Sequence, residues 1–425
     1  MMKKKGKVLS VITAILMIAQ ICLTALPVTV KAETTSVFTD YLPTITQATD
    51  DAGFIHPGVG LTKELLENVR SKVRAGAQPW TYYFTTMLLP APEASKTITS
   101  SNSSDGKTPS ADYFNSQGIE GRFIADGIKA YAQAVMYYMT GDEVYRANAM
   151  MIIRIWEQMD PAKYAYYTDA HIHAGVPLNR MVMAAEILRY TSTQTESLAW
   201  TDKDTADFTN HLIVPVTETL LHDQNHFMNQ HTYPILGAMA GYIFTGNKAR
   251  YNEAVEWFTV NRTAKDQGFN GSIKALFRWV TEEEKPGTKV GEGTPVEPHV
   301  QQMEMGRDQA HGGGDLTNAA IITRLIHAQG TKIDPVAGTP STADNAVDIM
   351  EFLNDRILGA TNYFWQFMLG YDTPWTPQAY AITGGDPDNV GRGGYIRDTY
   401  NFLSPAYRGG LTPPIFGIFI PTILM

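Results

Sequence analysis

Two short polar runs in this chain carry an unusual concentration of side chains that could bind a carboxylate and move protons. The first run covers residues 225–233 and the second covers residues 304–311. Together they contain carboxamides, imidazoles, a guanidinium and a phenol, although long apolar segments flank both runs. A hydrophobic core does not need such a density of polar and titratable groups, whereas a site that binds an anion and transfers protons does.

The amino terminus has the pattern of a secretory signal peptide. Four lysines within the first seven residues precede an apolar run from Val8 to Val30, and Ala32 completes a small-residue cleavage pattern. We predict that residues 1–32 are removed and that the protein is secreted to the extracellular space or the cell envelope, the latter being the periplasm in a host with an outer membrane. The alternative is an uncleaved membrane anchor.

The composition of the remaining chain excludes several classes of function. Cys22, the only cysteine, lies within the predicted signal peptide, so the mature protein would have neither a disulfide nor thiol chemistry. The full chain of 425 residues has a formal net charge of −9, and loss of five lysines with the signal peptide leaves −14. This charge argues against a nucleic-acid partner and implies that an anionic substrate would need a locally basic cleft. We expect no stable membrane association after cleavage.

Hydrophobic periodicity predicts a mainly helical chain. Thr62 can cap a helix whose apolar residues recur at helical spacing. Residues 91–118 lack periodicity and are predicted to form a surface loop, and Pro215 is expected to kink the helix that contains it. Helices are predicted at residues 124–140, 177–191, 204–221, 314–329 and 344–359.

A repeated turn indicates how these helices are arranged. Residues 140–142 (Thr-Gly-Asp) and 245–247 (Thr-Gly-Asn) each separate one apolar helical segment from the next. Helix–turn–helix units of this kind stack into toroids or solenoids. We therefore predict a mainly all-α fold, an incomplete α/α toroid built from antiparallel helical hairpins. The predicted domain covers residues 56–410, after a loosely structured lead-in segment at 33–55 and before an atypical tail at 411–425 that is too short to span a bilayer.

The two polar runs are predicted to lie in loops at helix starts. The first precedes a helix expected to open at Thr232, with Pro234 in its first turn. The second ends at His311, and the three glycines that follow would let the backbone approach a ligand closely. The irregular region 270–300 could cover a cleft, so that function would reside in loops at one end of the toroid.

Five short segments, taken in order, resemble the alginate lyase family of polysaccharide lyases. They are His56-Pro57-Gly58-Val59, Thr140-Gly141-Asp142-Glu143, Asn225-His226, Asn270-Gly271-Ser272-Ile273 and Glu304-x-Gly306-Arg307-Asp308-Gln309-x-His311. The resemblance implies an α/α toroid that cleaves a uronic acid polysaccharide by β-elimination without a cofactor. Asn225 and His226 match the family's Asn-His pair and Arg307 matches its arginine, whereas the family's tyrosine has no clear match and the carboxyl-terminal end differs.

The implied reaction gives each candidate a role. Removal of the C5 proton beside a uronate carboxylate needs donors that stabilise the charge building on that carboxylate, a base, and an acid for the departing O4 oxygen. Asn225 and Arg307 fit the donor role, the arginine bidentately. His226 or His311 fits the base, because imidazole titrates near neutral pH. Tyr233 is the candidate acid by its proximity in sequence alone.

Further residues are candidates for contacts with an anionic polysaccharide, namely Gln309, His231, Glu304 and Trp279. Each also has a purely structural interpretation. His231 and Gln309 could form loop hydrogen bonds, Arg307 could form a buried ion pair with Glu304 or Asp308, and Tyr233 could be a core aromatic. The sequence leaves open which polyuronate is cut and whether the cuts are internal or terminal.

Two other functions are compatible with the same helical scaffold. A glycoside hydrolase would use Glu304 with Asp308 or Asp315 as its acid and base. A cell-surface glycan-binding protein would need no catalytic group, and in any of these functions Trp279, Trp365 and Trp375 could stack on sugar rings. His171 and His173 alternate in a predicted loop and could suggest a metal site, but no second cluster at ligand spacing supports one.

Overall fold

The computed structural model describes residues 37–281, 297–304 and 309–368. The predicted signal peptide, Arg307, Asp308, Trp375 and the apolar tail lie outside the described residues, as do the side chains of residues 309, 310, 367 and 368. Within those ranges, no helix is long and apolar enough to cross a membrane.

Helices make up most of the regular structure, which confirms the prediction of a mainly all-α fold. In chain order the α-helices are α1 Lys63–Arg74, α2 Trp80–Tyr83, α3 Gln117–Thr140, α4 Glu143–Trp156, α5 Ala170–Tyr190, α6 Asp202–Phe208, α7 Val214–Val216, α8 Asn229–Phe244, α9 Lys248–Thr259, α10 Ile273–Leu276, α11 Gln309–Ala328 and α12 Phe352–Met368. Shorter π-helical turns are Phe84–Leu88, Thr209–Ile213 and Thr217–Leu221, and the 3-10 turns are Pro92–Ala94, Pro161–Lys163 and Glu196–Leu198.

The strands in the described ranges form three two-stranded antiparallel sheets. They pair β1 Ala48–Thr49 with β2 Ile55–His56, β3 Phe277–Val280 with β4 His299–Gln302, and β5 Lys332–Ile333 with β6 Val347–Asp348. In the β3–β4 hairpin Trp279 lies opposite Val300. These hairpins are too small to form a core of their own, so they depend on packing against the helices.

The two predicted hairpin turns form in the same way. Gly141 and Gly246 adopt left-handed backbone conformations, with φ of 80° and 68°, which glycine reaches without a steric penalty. The next residue then caps the following helix: the Asp142 side chain accepts from the N–H of Val144, and Asn247 accepts from the N–H of Arg250. Stop and start signals one residue apart therefore turn the chain back on itself.

Long helices on either side of these turns lie in two rows. In the first row α3 packs on α5, α5 on α8 and α8 on α11, while α4 packs against α3 and α9 against α8. Because a tight turn joins α3 to α4 and α8 to α9, each of these pairs is antiparallel. This alternation of helices between two rows is the predicted construction of an α/α toroid.

Contacts along the first row show that its neighbouring helices run in the same direction. In the first half of both helices, Gly127 of α3 packs on the backbone of Pro177 in α5. Further along, the guanidinium of Arg180 in α5 lies 5.5 Å from the ring centroid of Tyr131 in α3. The contact positions increase together, so α3 and α5 are parallel, and their amino termini lie at the same end of the row.

Glycines allow helices α5 and α8 of the first row to pack closely. A Cβ on Gly175 of α5 would lie 1.9 Å from the carbonyl oxygen of Tyr233 in α8, and one on Gly237 of α8 would lie 2.4 Å from the carbonyl oxygen of Gly175. At the far end of the same contact, the Arg189 guanidinium lies 5.2 Å from the Phe244 ring centroid. Helices α5 and α8 are therefore parallel and approach backbone to backbone near their starts.

Gly175→Ala should lower the free energy of unfolding by about 3 kcal/mol, because the new methyl group meets a backbone carbonyl that no rotamer change can move. Chemical denaturation measures this change. Gly121→Ala is the matched control, since its helical position in α3 is exposed and a Cβ there meets nothing within 4 Å. The control should be neutral or slightly stabilising. Equal effects of the two substitutions would contradict the backbone-contact interpretation.

The segment around the His56-Pro57-Gly58 motif anchors the chain at the opposite end of α5. The ring of His56 lies 3.0 Å from the Glu186 carboxylate, and the Gly58 N–H donates to the same carboxylate at 2.9 Å. The side-chain amide of Gln329, just past α11, donates to the carbonyl of Ile55 at 2.9 Å and accepts from its N–H at 2.8 Å. This motif is therefore structural.

The lead-in segment differs from its prediction. Residues from Asp40 onward belong to one compact unit, and Ile45 and Phe54 are buried. Ile45 forms a β-bridge with Thr191. Residues 40–55 are thus packed rather than loose, because their apolar side chains find partners that are remote in sequence.

Several helices begin earlier than predicted. Helix α5 starts at Ala170 and α8 at Asn229, so Pro177 and Pro234 lie inside them. Each proline removes a donor to the carbonyl four residues before it and crowds that carbonyl with its ring, and the backbone packing between the helices outweighs this cost. Pro215 lies in α7, between two π-helical turns, so the segment predicted as one continuous helix at 204–221 alternates α-helical and π-helical turns. The last predicted helix, 344–359, is observed as α12, which begins at Phe352.

The predicted glycine loop after His311 is helical. Residues 312–314 lie within α11. A Cβ on Gly312 would lie 2.7 Å from the side-chain nitrogen of Gln302 and 2.9 Å from the Phe364 ring. The glycine at this position therefore makes room for side chains of the protein itself, which corrects its expected role in the approach of a ligand.

Candidate active site

Helix starts converge where the two polar runs were predicted to act. The parallel helices α5 and α8 begin at Ala170 and Asn229, and the site of a Cβ on Gly314, early in α11, is 3.3 Å from the Tyr233 hydroxyl. Helix amino termini carry partial positive charge and unpaired N–H groups, so they favour anions. The position of the polar residues at this end suits a negatively charged ligand.

Two imidazoles stack face to face at these helix starts. The rings of His171, in the first turn of α5, and His226, in the loop before α8, have centroids 3.6 Å apart and planes only 5° from parallel. His171 is buried, whereas His226 is half-buried. The second ring is therefore the one that a substrate could reach more readily.

A tyrosine extends this stack toward solvent. The Tyr166 hydroxyl lies 3.0 Å from Nδ1 of His171, and the tyrosine ring stacks on the histidine ring with centroids 6.1 Å apart. Tyr166 is 53% exposed. Phenol and imidazole hydrogen-bonded in this way form a path along which a proton can move between solvent and the buried ring.

The surroundings keep both imidazoles neutral. Burial lowers the pKa of His171 to about 4, with a further contribution from the neighbouring His226, while Gln230 and Asp169 oppose the shift. Burial also lowers the pKa of His226, against the attraction of Asp223. Burial raises the pKa of Tyr166, as do Asp169 and Asp223. At neutral pH the site therefore holds two neutral imidazoles beside a protonated phenol.

Asn225 fixes the loop that presents His226. Its backbone N–H and its side-chain amide donate to Oδ1 of Asp223 at 2.8 and 3.1 Å, and its side-chain oxygen accepts from the backbone N–H of Lys265 at 3.1 Å. The residue itself is exposed. These bonds give Asn225 a structural function, and its role as a donor to a substrate carboxylate stays a prediction.

Strained backbone precedes both helix starts. Asp169 and Met228 have positive φ of 65° and 47°, although neither is glycine. The Met228 N–H donates to the carbonyl of Phe269 at 3.0 Å, and a Cβ on Gly271 would lie 2.3 Å from the Met228 carbonyl oxygen. Residues 270–272 thus brace the loop of His226. Strain maintained by surrounding contacts is concentrated at functional sites in proteins.

His231 is fully buried below this loop and has a structural environment. Its Nε2 lies 3.3 Å from the carbonyl oxygen of Trp257. Burial lowers its pKa to about 4, despite the hydrogen bond to Trp257, and His226 lowers it further. A neutral ring without solvent access cannot contact a polymer, so the geometry does not favour its predicted contact with substrate.

His231→Gln should flatten the pH dependence of stability. The wild-type ring takes up a proton near pH 6.5 when unfolded but only near pH 4 when folded, so the unfolded state binds more protons between these values and stability falls as pH falls through this window. The wild type should therefore lose about 2 kcal/mol more than the variant between pH 7 and 4.5. Urea denaturation at both pH values measures the difference, and equal losses would refute the assignment.

Tyr233 points between two helices and away from the histidine stack. Its hydroxyl is close to Asn318 and to the carboxylates of Asp315 and Glu304; burial and these two carboxylates raise its pKa, while Asn318 lowers it. Glu304 and Asp315 are 2% and 0% exposed. The backbone N–H of Asn229 donates to Glu304 at 3.4 Å. This cluster therefore joins α8 to α11.

The remaining candidates divide between described and undescribed residues. His311 is half-buried in the first turn of α11, and its predicted role as base stays a prediction. Arg307 and the side chain of Gln309 lie outside the described residues. Trp279 on β3 and Trp365 in α12 are 42% and 40% exposed, so both can offer a ring face to a sugar.

Sequence reasoning missed Tyr166 as a site residue and considered His171 only as a metal ligand with His173. These two histidines lie two positions apart in the first turn of α5, so they point to different sides of the helix. In the described ranges, no group of three or more His, Cys, Asp or Glu side chains could hold a metal ion. The partner of His171 is instead the first polar run, through His226.

Comparison with known proteins adds a weak structural likeness. No protein-family model matches this sequence, and no curated protein is similar enough to match. Among solved structures, the crystal structure of an alginate lyase from Bacteroides ovatus matches with a TM-score of 0.45 at 13% sequence identity, over 84% of this chain and 95% of that one. At this level of likeness, the activity of this chain has to be argued from its own residues.

Proposed function

We propose that this protein is a secreted polysaccharide lyase that cleaves a uronic acid polysaccharide, alginate or a related polyuronate, by β-elimination. The observation that carries the proposal is the stack of His226 on His171, with the Tyr166 phenol 3.0 Å from the His171 ring. It combines a free base, a protonated acid and helix amino termini that favour a carboxylate.

His226 is the base in this mechanism. Its neutral ring takes the C5 proton, the electron pair forms the C4–C5 double bond, and the bond from C4 to O4 breaks. His171 is too buried to reach a sugar, but its stacked ring fixes the orientation of His226. The proton on His226 passes to solvent after the products leave.

Tyr166 is the acid. Its exposed phenol gives a proton to the departing O4, which leaves a hydroxyl on that fragment, and the hydrogen bond to His171 directs the phenol. The phenolate then regains a proton from solvent. The raised pKa of Tyr166 keeps the proton available at neutral pH. In this assignment Tyr166 takes the role first given to Tyr233, whose hydroxyl lies among Asn318, Asp315 and Glu304.

The substrate carboxylate would bind at the starts of α5 and α8. The partial positive charge of a helix start stabilises negative charge as it builds during proton removal. Asn225 and Arg307 remain the proposed side-chain donors, with Trp279 as a stacking surface for a neighbouring sugar. The anionic polymer is the proposed partner, and no nucleic acid is expected.

The hydrolase alternative is less well supported by the same geometry. It needs two carboxyl groups that reach a glycosidic bond, but Glu304 and Asp315 are 2% and 0% exposed. The Asp308 carboxylate lies outside the described residues. A purely glycan-binding protein would not need a neutral base stacked beside a phenol.

A screen of polyuronates by ultraviolet absorbance tests the proposal. Mannuronate-rich alginate, guluronate-rich alginate, glucuronan and glycosaminoglycans are incubated separately with the mature protein. Elimination creates an absorbing C4–C5 double bond at each new non-reducing end, so absorbance should rise with depolymerisation of at least one polymer. New reducing ends without absorbance would identify a hydrolase instead, and binding without fragments would identify a glycan-binding protein.

The pH profile should show the lowered pKa of the proposed base. His226 must be neutral to accept a proton, and burial lowers its pKa from 6.5. On the acid side, kcat/KM should therefore stay level until the pH falls below 6.5 and decrease only below it. Initial rates in buffers of constant ionic strength measure the profile. An acid limb centred above pH 6.5 would contradict the assignment of His226.

A further inference from the structure

Three side chains from the first row of helices meet in the protein interior, away from the candidate active site. They are Tyr131 of α3, Arg180 of α5 and Arg324 of α11, which are 5%, 4% and 9% exposed. The Arg180 guanidinium lies 5.5 Å from the Tyr131 ring centroid, and Arg324 interacts electrostatically with both other groups. Two positively charged guanidinium groups are therefore buried close together.

Their described partners do not neutralise these charges. Arg180 donates from Nη1 to the Asn179 side-chain oxygen at 3.1 Å and to the Met183 sulfur at 3.3 Å. Arg324 donates from Nη2 to the carbonyl oxygen of Gly60. Within the described ranges, the titratable groups that act on either arginine are Tyr131 and the other arginine, and none is a carboxylate.

Another buried arginine shows how this chain satisfies a guanidinium without a carboxylate. Arg146 donates to the carbonyl oxygens of Leu198 and Leu188 at 2.7 and 2.8 Å and to the Thr191 hydroxyl at 3.0 Å. It thereby uses all three of its nitrogens, two at the end of α5 and one at the 3-10 turn that follows. Among the described groups, Arg180 and Arg324 each bond through one nitrogen. Most of their N–H donors are therefore available to a ligand.

We propose that Tyr131, Arg180 and Arg324 bind a small inorganic oxyanion, of the phosphate or sulfate class. Planar guanidinium groups match oxyanions bidentately, and a buried charge is strongly unfavourable without a counter-charge. The Tyr131 hydroxyl has no hydrogen-bond partner among the described residues, so it can donate to the same anion. The site thus supplies two forks and a hydroxyl from three helices.

The ligand is small because the site is closed. At most 9% of any of the three residues is exposed, which excludes a polysaccharide chain. Arg180 also lies beyond His171 along α5 by roughly 13 Å, given the rise per residue of an α-helix. The oxyanion is therefore separate from the substrate of the proposed lyase, and it would join α3, α5 and α11 as a structural ion.

Thermal melting of the mature protein in inorganic phosphate tests this site. After dialysis into an anion-poor buffer, melting is followed at rising phosphate, with ionic strength held constant by chloride. The melting temperature should rise by about 2 °C per tenfold increase in phosphate above the dissociation constant. Sulfate should act similarly. No rise beyond that in chloride alone would overturn the proposal.

Tyr131→Phe and Tyr138→Phe distinguish this site from other phosphate effects. Both tyrosines are buried, have a hydroxyl without a hydrogen-bond partner among the described residues, and lie under an arginine, Arg180 or Arg70. Tyr131→Phe should weaken phosphate binding about tenfold through loss of one bond to a charged ligand, whereas Tyr138→Phe should respond as the wild type does. Identical responses of the two variants would overturn the proposal, because phosphate would then act elsewhere.

Discussion

His226→Ala is expected to lower kcat on the polyuronate about ten-thousandfold, with little change in KM. The imidazole acts on the C5 proton only as the transition state forms, so its removal affects turnover more than binding. A general base contributes up to about that factor. The lowered pKa keeps the ring unprotonated at neutral pH, so the wild-type reference is fully active there.

His222→Ala is the matched control for this variant. His222 lies on the same connection between helices, but its ring nitrogens contact Arg250 and Tyr242 instead of the histidine stack. It should retain kcat within about threefold of the wild type. Both variants must melt near the wild-type temperature. A ten-thousandfold loss in the control, or near-normal turnover in His226→Ala, would remove His226 from the mechanism.

Tyr166→Phe is expected to lower kcat about a thousandfold. The substitution keeps the ring that stacks on His171 and removes only the hydroxyl that lies 3.0 Å from its Nδ1. Without the acid, O4 must depart without a proton. General acid catalysis typically increases the rate by a factor of about a hundred to ten thousand. Single-turnover rates on a defined oligouronate measure the effect on chemistry.

Tyr167→Phe provides the control, because the neighbouring phenol donates to Glu120 and not to a histidine. Its turnover should stay close to that of the wild type. A substrate with a good leaving group at C4 should restore much of the rate of Tyr166→Phe, since such a group departs without a proton. Failure of this rescue would show that Tyr166 positions other groups and is not the acid.

The hairpin construction could be predicted from sequence because its signals are local. Gly141 with Asp142, and Gly246 with Asn247, end one helix and cap the next within a few residues. Apolar periodicity likewise identified most helices. Their starts were harder to predict, since Gly175 shows no local reason to lie in a helix: the backbone of α8, far away in sequence, provides it.

The site could be predicted only in part for the same reason. Density of polar groups identified the loop of His226, but nothing local indicates that His171 stacks on it, because that contact depends on two parallel helices meeting at their starts. Tyr166 gave no signal in the sequence, as its function follows from the position of His171. In the sequence, Glu304 and His231 are as plausible as contacts with a substrate as the other candidates, because the sequence does not show that both side chains are buried.

Digestion of the polyuronate in water enriched in the heavy oxygen isotope tests the central claim most directly. Elimination breaks the bond between C4 and O4 without adding water, so mass spectrometry should find unlabelled fragments, and every fragment with a new non-reducing end should be lighter than its hydrolysis counterpart by one water molecule. His226→Ala should abolish these fragments. Fragments that carry one heavy oxygen at the new reducing end would show that water attacks the glycosidic bond, and would contradict the assignment of this protein as a lyase.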